Sequence, residues 1–125
     1  KYTKQAQFVK RCKDFAKNND AHVHIVAHPR KPSGVVTKED IAGLYEVTNH
    51  ADNVVGIHRI TQDNKTEFPE EVRDSDSLLD IFKCRLYGRQ DILVEMMFNE
   101  KSKRFFQRGD NDARNKKYSW EQLTI

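Results

Sequence analysis

The sequence predicts an α/β fold in which a mostly parallel sheet carries an antiparallel hairpin at one edge. An amphipathic stretch at residues 4–18 is followed, after a short turn, by an apolar run at residues 22–28. A helix that leads directly into a strand apolar on both faces is typical of a β-α-β unit with parallel strands. Two later runs, residues 78–86 and 91–99, are joined by a short turn at Gly88, which is typical of an antiparallel hairpin.

The first predicted element is the helix at residues 4–18. Its apolar side chains recur at helical spacing and predict one buried stripe, formed by Phe8, Val9, Cys12, Phe15 and Ala16. The asparagines and aspartate at residues 18–20 favour local side-chain hydrogen bonds and left-handed backbone, so we expect the helix to end there.

The next predicted element is a buried strand at residues 22–28, rich in β-branched side chains at Val23, Ile25 and Val26. It ends at His28, which is followed by a proline and two cations. In open α/β sheets, ligands bind at the carboxyl ends of the strands. The sequence therefore predicts a polar, basic ligand site after this strand.

The rest of the chain predicts an alternation of short elements and loops. These are a helix at residues 40–50 that is interrupted near Gly43, a strand at 54–60, an acidic loop at 61–77 and a short strand at 104–107. We expect one domain over residues 1–107 and a basic, flexible tail over residues 108–125.

Composition and charge limit the possible function classes. The chain has 125 residues and a net charge of +3, which suits a single domain. Residues 101–117 hold seven basic and two acidic side chains, a pattern that suits either a polyanion partner or a solvated tail. The two cysteines, Cys12 and Cys84, form no CxxC motif and are predicted to be reduced thiols. No apolar run approaches the roughly 18 residues of a membrane span, so no membrane partner is expected.

Three separated motifs occur in order along the chain. They are HVHIVAHPRK at residues 22–31, DIAGLYEVTNHADNVVGI at residues 40–57, and FKCRLYG at residues 82–88 with ILVEMMFNEKSKRF after it. Together they resemble the carboxyl-terminal half of the RecA-like motor domain of superfamily 4 replicative DNA helicases, which include DnaB-like helicases, phage primase-helicases and Twinkle. The resemblance covers residues 4–106. It implies a partial RecA-like core of the P-loop NTPase class that lacks the P-loop half.

The resemblance implies catalytic roles for three residues. His28 would end the strand beside the Walker B strand and sense the γ-phosphate. Lys83 and Arg85 would reach the nucleotide of a neighbouring subunit, with Arg85 as an arginine finger that stabilises charge on the transferred phosphoryl group. Period-2 alternation independently predicts that Lys83 and Arg85 lie on one face of a strand, where two cations repel each other unless an anionic group lies between them.

The resemblance also implies a DNA-binding surface. Arg30, Lys31 and Lys38, with backbone groups near Gly43, would line the channel of a hexameric ring and hold single-stranded DNA. Cations of this kind neutralise phosphates without reading bases, which gives salt-sensitive and sequence-tolerant binding. The chain departs from the family at Gly43, because leucine follows where the family usually has serine and no hydroxyl is supplied there.

The expected cofactors of such a motor are ATP and Mg²⁺. The 125 residues contain no GxxxxGK[ST] motif and no apolar strand ending in a Walker B aspartate. We therefore expect neither bound ATP nor bound Mg²⁺ in this chain alone, and no hydrolysis by it. The expected location is the cytoplasm of a bacterium or phage-infected cell, with the mitochondrial matrix as the alternative.

Five other readings of the same residues stay open. His28 could be an ordinary strand-end histidine, and Lys83 and Arg85 could be edge-strand cations that prevent aggregation. His22, His24 and His28 could share one strand face and bind zinc. The chain could be a non-catalytic module that binds nucleic acid through residues 101–117, or a RecA-like ATPase of another pathway, such as recombination or circadian timing.

Overall fold

A computed structural model describes residues 3–28, 36, 40 and 45–115 of the chain, without the side chains of residues 45, 46, 114 and 115. The helices are α1 (Lys4–Asn18), α2 (Tyr45–His50) and α3 (Asn111–Asn115). The strands are β1 (Asn53–Arg59), β2 (Ser77–Cys84), β3 (Ile92–Asn99) and β4 (Arg104–Gln107).

The four strands form one antiparallel sheet in the order β1-β2-β3-β4. The predicted mostly parallel sheet, and with it the partial RecA-like core, is therefore wrong. A parallel pair needs a crossover of a dozen or more residues, usually a helix, whereas β2, β3 and β4 follow one another through short turns. The predicted hairpin is present, but it is the centre of the sheet and not an addition at its edge.

The parallel prediction failed at residues 22–28. This segment has no regular secondary structure and is exposed throughout, with Val26 84% and Ile25 46% accessible to solvent. A β-branched run fits a pleated, half-buried surface, and it forms a strand only where neighbouring strands supply that surface. Residues 22–28 pair with none of the described strands, so the apolar pattern does not become a strand.

Helix α1 has the predicted bounds, but its apolar stripe is only partly buried. The Thr3 hydroxyl accepts a hydrogen bond from the Ala6 amide at 3.2 Å and caps the first turn. The helix ends where Asp20 adopts a positive φ of 49°. Val9 is buried as predicted, whereas Phe8 and Phe15 are more than half exposed, so the buried face is narrower than the sequence pattern.

The described chain divides into two compact units, the first formed by Lys1–Gly56 and Asp80–Ile92. In this unit α1 packs against α2. Its buried apolar side chains are Ala6, Val9 and Phe82. Gly56 lies directly against the ring of Phe82, and a Cβ atom at residue 56 would collide with that ring. The glycine is therefore required for this close approach.

The second unit is formed by Ile57–Leu79 and Leu93–Ile125. Its buried side chains include Leu78, Phe68 and His58, whose ring meets that of Phe68 edge-on at 5.6 Å. Strands β3 and β4 pair in a register that places Phe98 opposite Phe105, and their rings lie 4.9 Å apart.

The remaining predicted elements are found with small shifts. The predicted strands appear as β1, β2, β3 and β4, and the predicted acidic loop contains two short 3₁₀ helices, Lys65–Glu67 and Glu70–Val72. The predicted tail begins with a region that includes α3, and the proposed boundary at residue 107 stays a prediction. Among the described residues, every helix is too short or too polar to cross a membrane.

Replacing Gly56 with Ala is expected to lower the free energy of unfolding by about 1–3 kcal/mol, because the added methyl group must displace the buried ring of Phe82. Urea unfolding measures the change. Combining Gly56→Ala with Phe82→Leu should make the two effects non-additive, since the smaller side chain leaves room for the methyl group. Purely additive effects would contradict the close contact.

Candidate phosphate-binding site

Lys83 and Arg85 bring two cations to the carboxyl end of α2. The Lys83 ammonium donates to the backbone carbonyls of Thr48 at 3.0 Å and Asn49 at 3.3 Å. The Arg85 guanidinium donates to the same Asn49 carbonyl at 3.1 Å. Both side chains thus reach one atom, as period-2 alternation predicts. The last carbonyls of a helix lack partners inside the helix and form the negative end of its dipole, so they attract cations.

Asp52 supplies the negative charge between the cations. Its Oδ1 atom lies 2.8 Å from Arg85 Nη1 and 3.2 Å from Lys13 Nζ on α1. Its backbone carbonyl also accepts a hydrogen bond from the Arg85 amide at 2.9 Å. The side chain and the backbone of Asp52 therefore both bind Arg85 and fix its position. No motif or spacing in the sequence singled out Asp52 as a site residue.

The same cations line a shallow cavity of about 230 Å³, largely open to solvent, in the hairpin between β2 and β3. Its lining residues are Lys83, Cys84, Arg85, Gly88, Arg89 and Gln90. Three of these six residues are basic and none is acidic. Gly88 has a φ of 62°, a left-handed conformation that glycine adopts at low cost and that turns the chain around the cavity.

Electrostatics at the site favour an added anion. Burial lowers the pKa of the Lys83 ammonium from its ordinary value, and the positive charges of Arg85 and Lys13 lower it further, while Asp52 partly offsets them. The carboxylate of Asp52 is thus not enough to neutralise the group. A phosphate supplies several oxygen acceptors and more negative charge, and the planar guanidinium of arginine matches phosphate oxygens in a bidentate geometry.

The ion pair that now holds Arg85 is exposed to solvent. The side chains of Arg85 and Asp52 are 45% and 55% accessible. Exposed pairs of this kind contribute only about 0.2–1 kcal/mol. Arg85 can therefore exchange Asp52 for a phosphate at small cost.

Of the other predicted site residues, only His28 lies in the described part of the chain. His28 is exposed and lies in the segment without secondary structure. Arg30, Lys31, Lys38 and Gly43 lie outside the described residues. The catalytic and DNA-binding roles of all five stay predictions.

The three-histidine zinc site finds no support in the described part of the chain. The rings of His22 and His24 stack with centroids 4.3 Å apart. Within the described residues, no group of three or more His, Cys, Asp or Glu side chains is placed to hold a metal ion.

A second polar cluster lies in the other unit and is saturated by its own contacts. The buried Ser75 hydroxyl donates to Glu95 Oε2 at 2.6 Å, and Arg108 Nη1 donates to the same oxygen at 2.9 Å. These hydrogen bonds, that from Ser75 first, lower the pKa of Glu95. A carboxylate held ionised in this way is a poor base for activating serine, so the cluster is structural.

Comparisons with protein-family models, with curated proteins and with solved structures find no match to this chain. The helicase resemblance therefore depends on the three sequence motifs alone.

The charges around Lys83 lead us to expect opposite changes of its pKa in two variants. Arg85→Gln removes a positive neighbour and should raise the pKa of Lys83, whereas Asp52→Asn removes the negative neighbour and should lower it further. Titration of the Lys83 ¹³Cε chemical shift measures both changes. Shifts in the same direction for the two variants would contradict the described arrangement.

The same pKa shift has a consequence for stability. Because the pKa of Lys83 is lower in the folded chain than its ordinary value of 10.5, the charged form opposes folding. Its contribution to the free energy of unfolding should therefore increase as the pH rises from the folded pKa towards 10.5. Across that pH range, the free energy of unfolding of the wild type should increase relative to that of Lys83→Gln. Denaturant unfolding of both proteins at several pH values measures this difference.

Proposed function

We propose that this chain binds a phosphate group of a nucleotide at the cavity lined by Lys83, Arg85 and Arg89, and that it does so as part of an ATP-driven DNA helicase. The observation that carries the proposal is the convergence of Lys83 and Arg85 beside a cavity with three basic and no acidic lining residues. The resemblance of residues 82–88 to the Lys-x-Arg motif of superfamily 4 helicases independently suggests a nucleotide phosphate as the ligand.

In this proposal Arg85 and Lys83 stabilise negative charge on phosphate oxygens. The guanidinium of Arg85 binds two oxygens, and the ammonium of Lys83 adds a point charge. In the assembled motor the phosphate would belong to the ATP and Mg²⁺ of a neighbouring subunit of a hexamer, and His28 would sense the γ-phosphate. The cytoplasm is the proposed location. The antiparallel sheet lends no support to the motor assignment, which depends on the motifs.

The DNA-binding part of the proposal concerns Arg30, Lys31, Lys38 and Gly43, which would hold single-stranded DNA. The alternative, a binding module that uses residues 101–117, is less well supported. Two cations of that stretch are neutralised within the chain, Lys103 by Glu100 at 2.9 Å and Arg108 by Glu95 at 2.9 Å. A cation paired in this way attracts an external phosphate less strongly.

Phosphate binding is tested by titrating the purified chain with inorganic pyrophosphate in a calorimeter, because the chain alone is not expected to retain ATP. Arg85→Ala and Lys83→Ala should each weaken binding by roughly tenfold or more, because each removes charge-assisted hydrogen bonds to phosphate. Lys103→Ala removes one exposed positive charge elsewhere and serves as the matched control, with little expected effect. Equal weakening by all three variants would indicate a general charge effect and contradict the site.

DNA binding is tested by fluorescence anisotropy with a labelled oligothymidine over a range of salt concentrations. The triple variant Arg30→Ala, Lys31→Ala and Lys38→Ala should weaken binding and reduce the salt slope by about two, since each single-strand phosphate contact contributes about 0.7. Deletion of residues 108–125 should leave the slope nearly unchanged. The reverse result would favour the non-catalytic module.

A further inference from the structure

The acceptors that now hold Lys83 and Arg85 occupy the same donor groups that a phosphate would need. Lys83 Nζ is engaged by the carbonyls of Thr48 and Asn49, and Arg85 by Asn49 and the carboxylate of Asp52. Both side chains also line the cavity, so each borders two sets of acceptors. These contacts use two of the three N–H donors of Lys83 and one N–H on each terminal nitrogen of Arg85. A phosphate that draws both side chains towards the cavity therefore has to share or displace these acceptors.

We propose that the carboxyl end of α2, together with Asp52, competes with phosphate for Lys83 and Arg85, so that phosphate binding in the cavity releases the end of α2. This inference rests on the proposed phosphate-binding function and adds its regulation. It makes Asp52 a positioning residue, which acts on the ligand through Arg85 and does not touch the phosphate.

The contacts at the end of α2 show why loss of Lys83 and Arg85 would destabilise this helix. Three donors hold this end, namely Lys83, Arg85 and the Ala51 amide, which donates to the Thr48 carbonyl at 3.2 Å. A helix of six described residues is too short to be stable by itself and depends on such tertiary contacts. Loss of the two cations would leave its last carbonyls without their strongest partners.

The order of the sequence connects the end of α2 to the proposed DNA contacts. Gly43 and Lys38, which are proposed to contact DNA, lie two and seven residues before the first residue of α2 in the chain. An event at the phosphate cavity that loosens the end of α2 would therefore act on the element that follows the proposed DNA contacts. Because binding linkage is reciprocal, DNA bound there would alter phosphate affinity by the same factor.

Asp52→Asn tests the competition, with pyrophosphate as the probe and isothermal calorimetry as the measurement. Removal of the competing charge should tighten pyrophosphate binding roughly two- to fivefold, which corresponds to the strength of an exposed ion pair. Asp14→Asn is the matched control. It removes the same charge from an exposed pair with Lys10 on α1, outside the contacts that hold Arg85.

Three results of this titration can be told apart. Tighter binding for Asp52→Asn alone supports the competition. Equal changes in both variants contradict the competition while leaving the phosphate site intact. Absence of pyrophosphate binding in the wild type and in both variants overturns the proposed function itself, and the competition with it.

A second measurement uses only the wild-type chain and so does not depend on the folding of a variant. Amide hydrogen exchange should accelerate at Ala51 and Arg85 when pyrophosphate saturates the chain, because their hydrogen bonds to Thr48 and Asp52 report on the end of α2. Unchanged or slower exchange at these two amides under saturation would overturn the proposed release.

Discussion

The carbonyl of Asn49 accepts hydrogen bonds from two cations that are 34 and 36 residues away in the chain. This shared acceptor is the constraint on which the site depends. It joins the end of a short helix to the last part of β2 and to the turn that follows it. Asp52 completes the arrangement by holding Arg85 through both its carboxylate and its backbone. The positions of the basic side chains at the cavity follow from these few contacts.

The chemistry of the site follows from an imbalance of charge. Lys13 and Arg85 both contact the carboxylate of Asp52, and the pKa of Lys83 is lowered by its burial and then by the positive charges of Arg85 and Lys13. A surplus of positive charge held in place by weak, exposed contacts favours binding of an anion that can offer several oxygens. The charge imbalance at these described residues does not depend on whether the sheet is parallel.

Sequence patterns predicted the parts of the structure that depend on local contacts. The bounds of α1, the four strands of the sheet and the turn at Gly88 belong to this group. These features depend on turn residues and on hydrophobic periodicity, which involve only residues close together in the sequence. Period-2 alternation predicted Lys83 and Arg85 on one strand face; Lys83 lies on β2 and Arg85 in the turn after it, and both side chains reach the Asn49 carbonyl.

The features that the sequence did not predict depend on neighbours distant in the chain. Residues 22–28 have the composition of a buried strand, yet they pair with none of the described strands, and Val26 is exposed. The parallel sheet was inferred from this segment, so the error passed directly into the fold class. Asp52 was missed for a related reason. An aspartate before a strand carries no sign that an arginine 33 residues later will contact it.

The most direct test of the account is the structure of the chain with pyrophosphate, determined by crystallography. In that structure, we expect phosphate oxygens to lie within hydrogen-bonding distance of the Arg85 guanidinium and the Lys83 ammonium. Both groups should have moved away from the Asn49 carbonyl. Pyrophosphate bound at another surface, with Lys83 and Arg85 still on the end of α2, would contradict it.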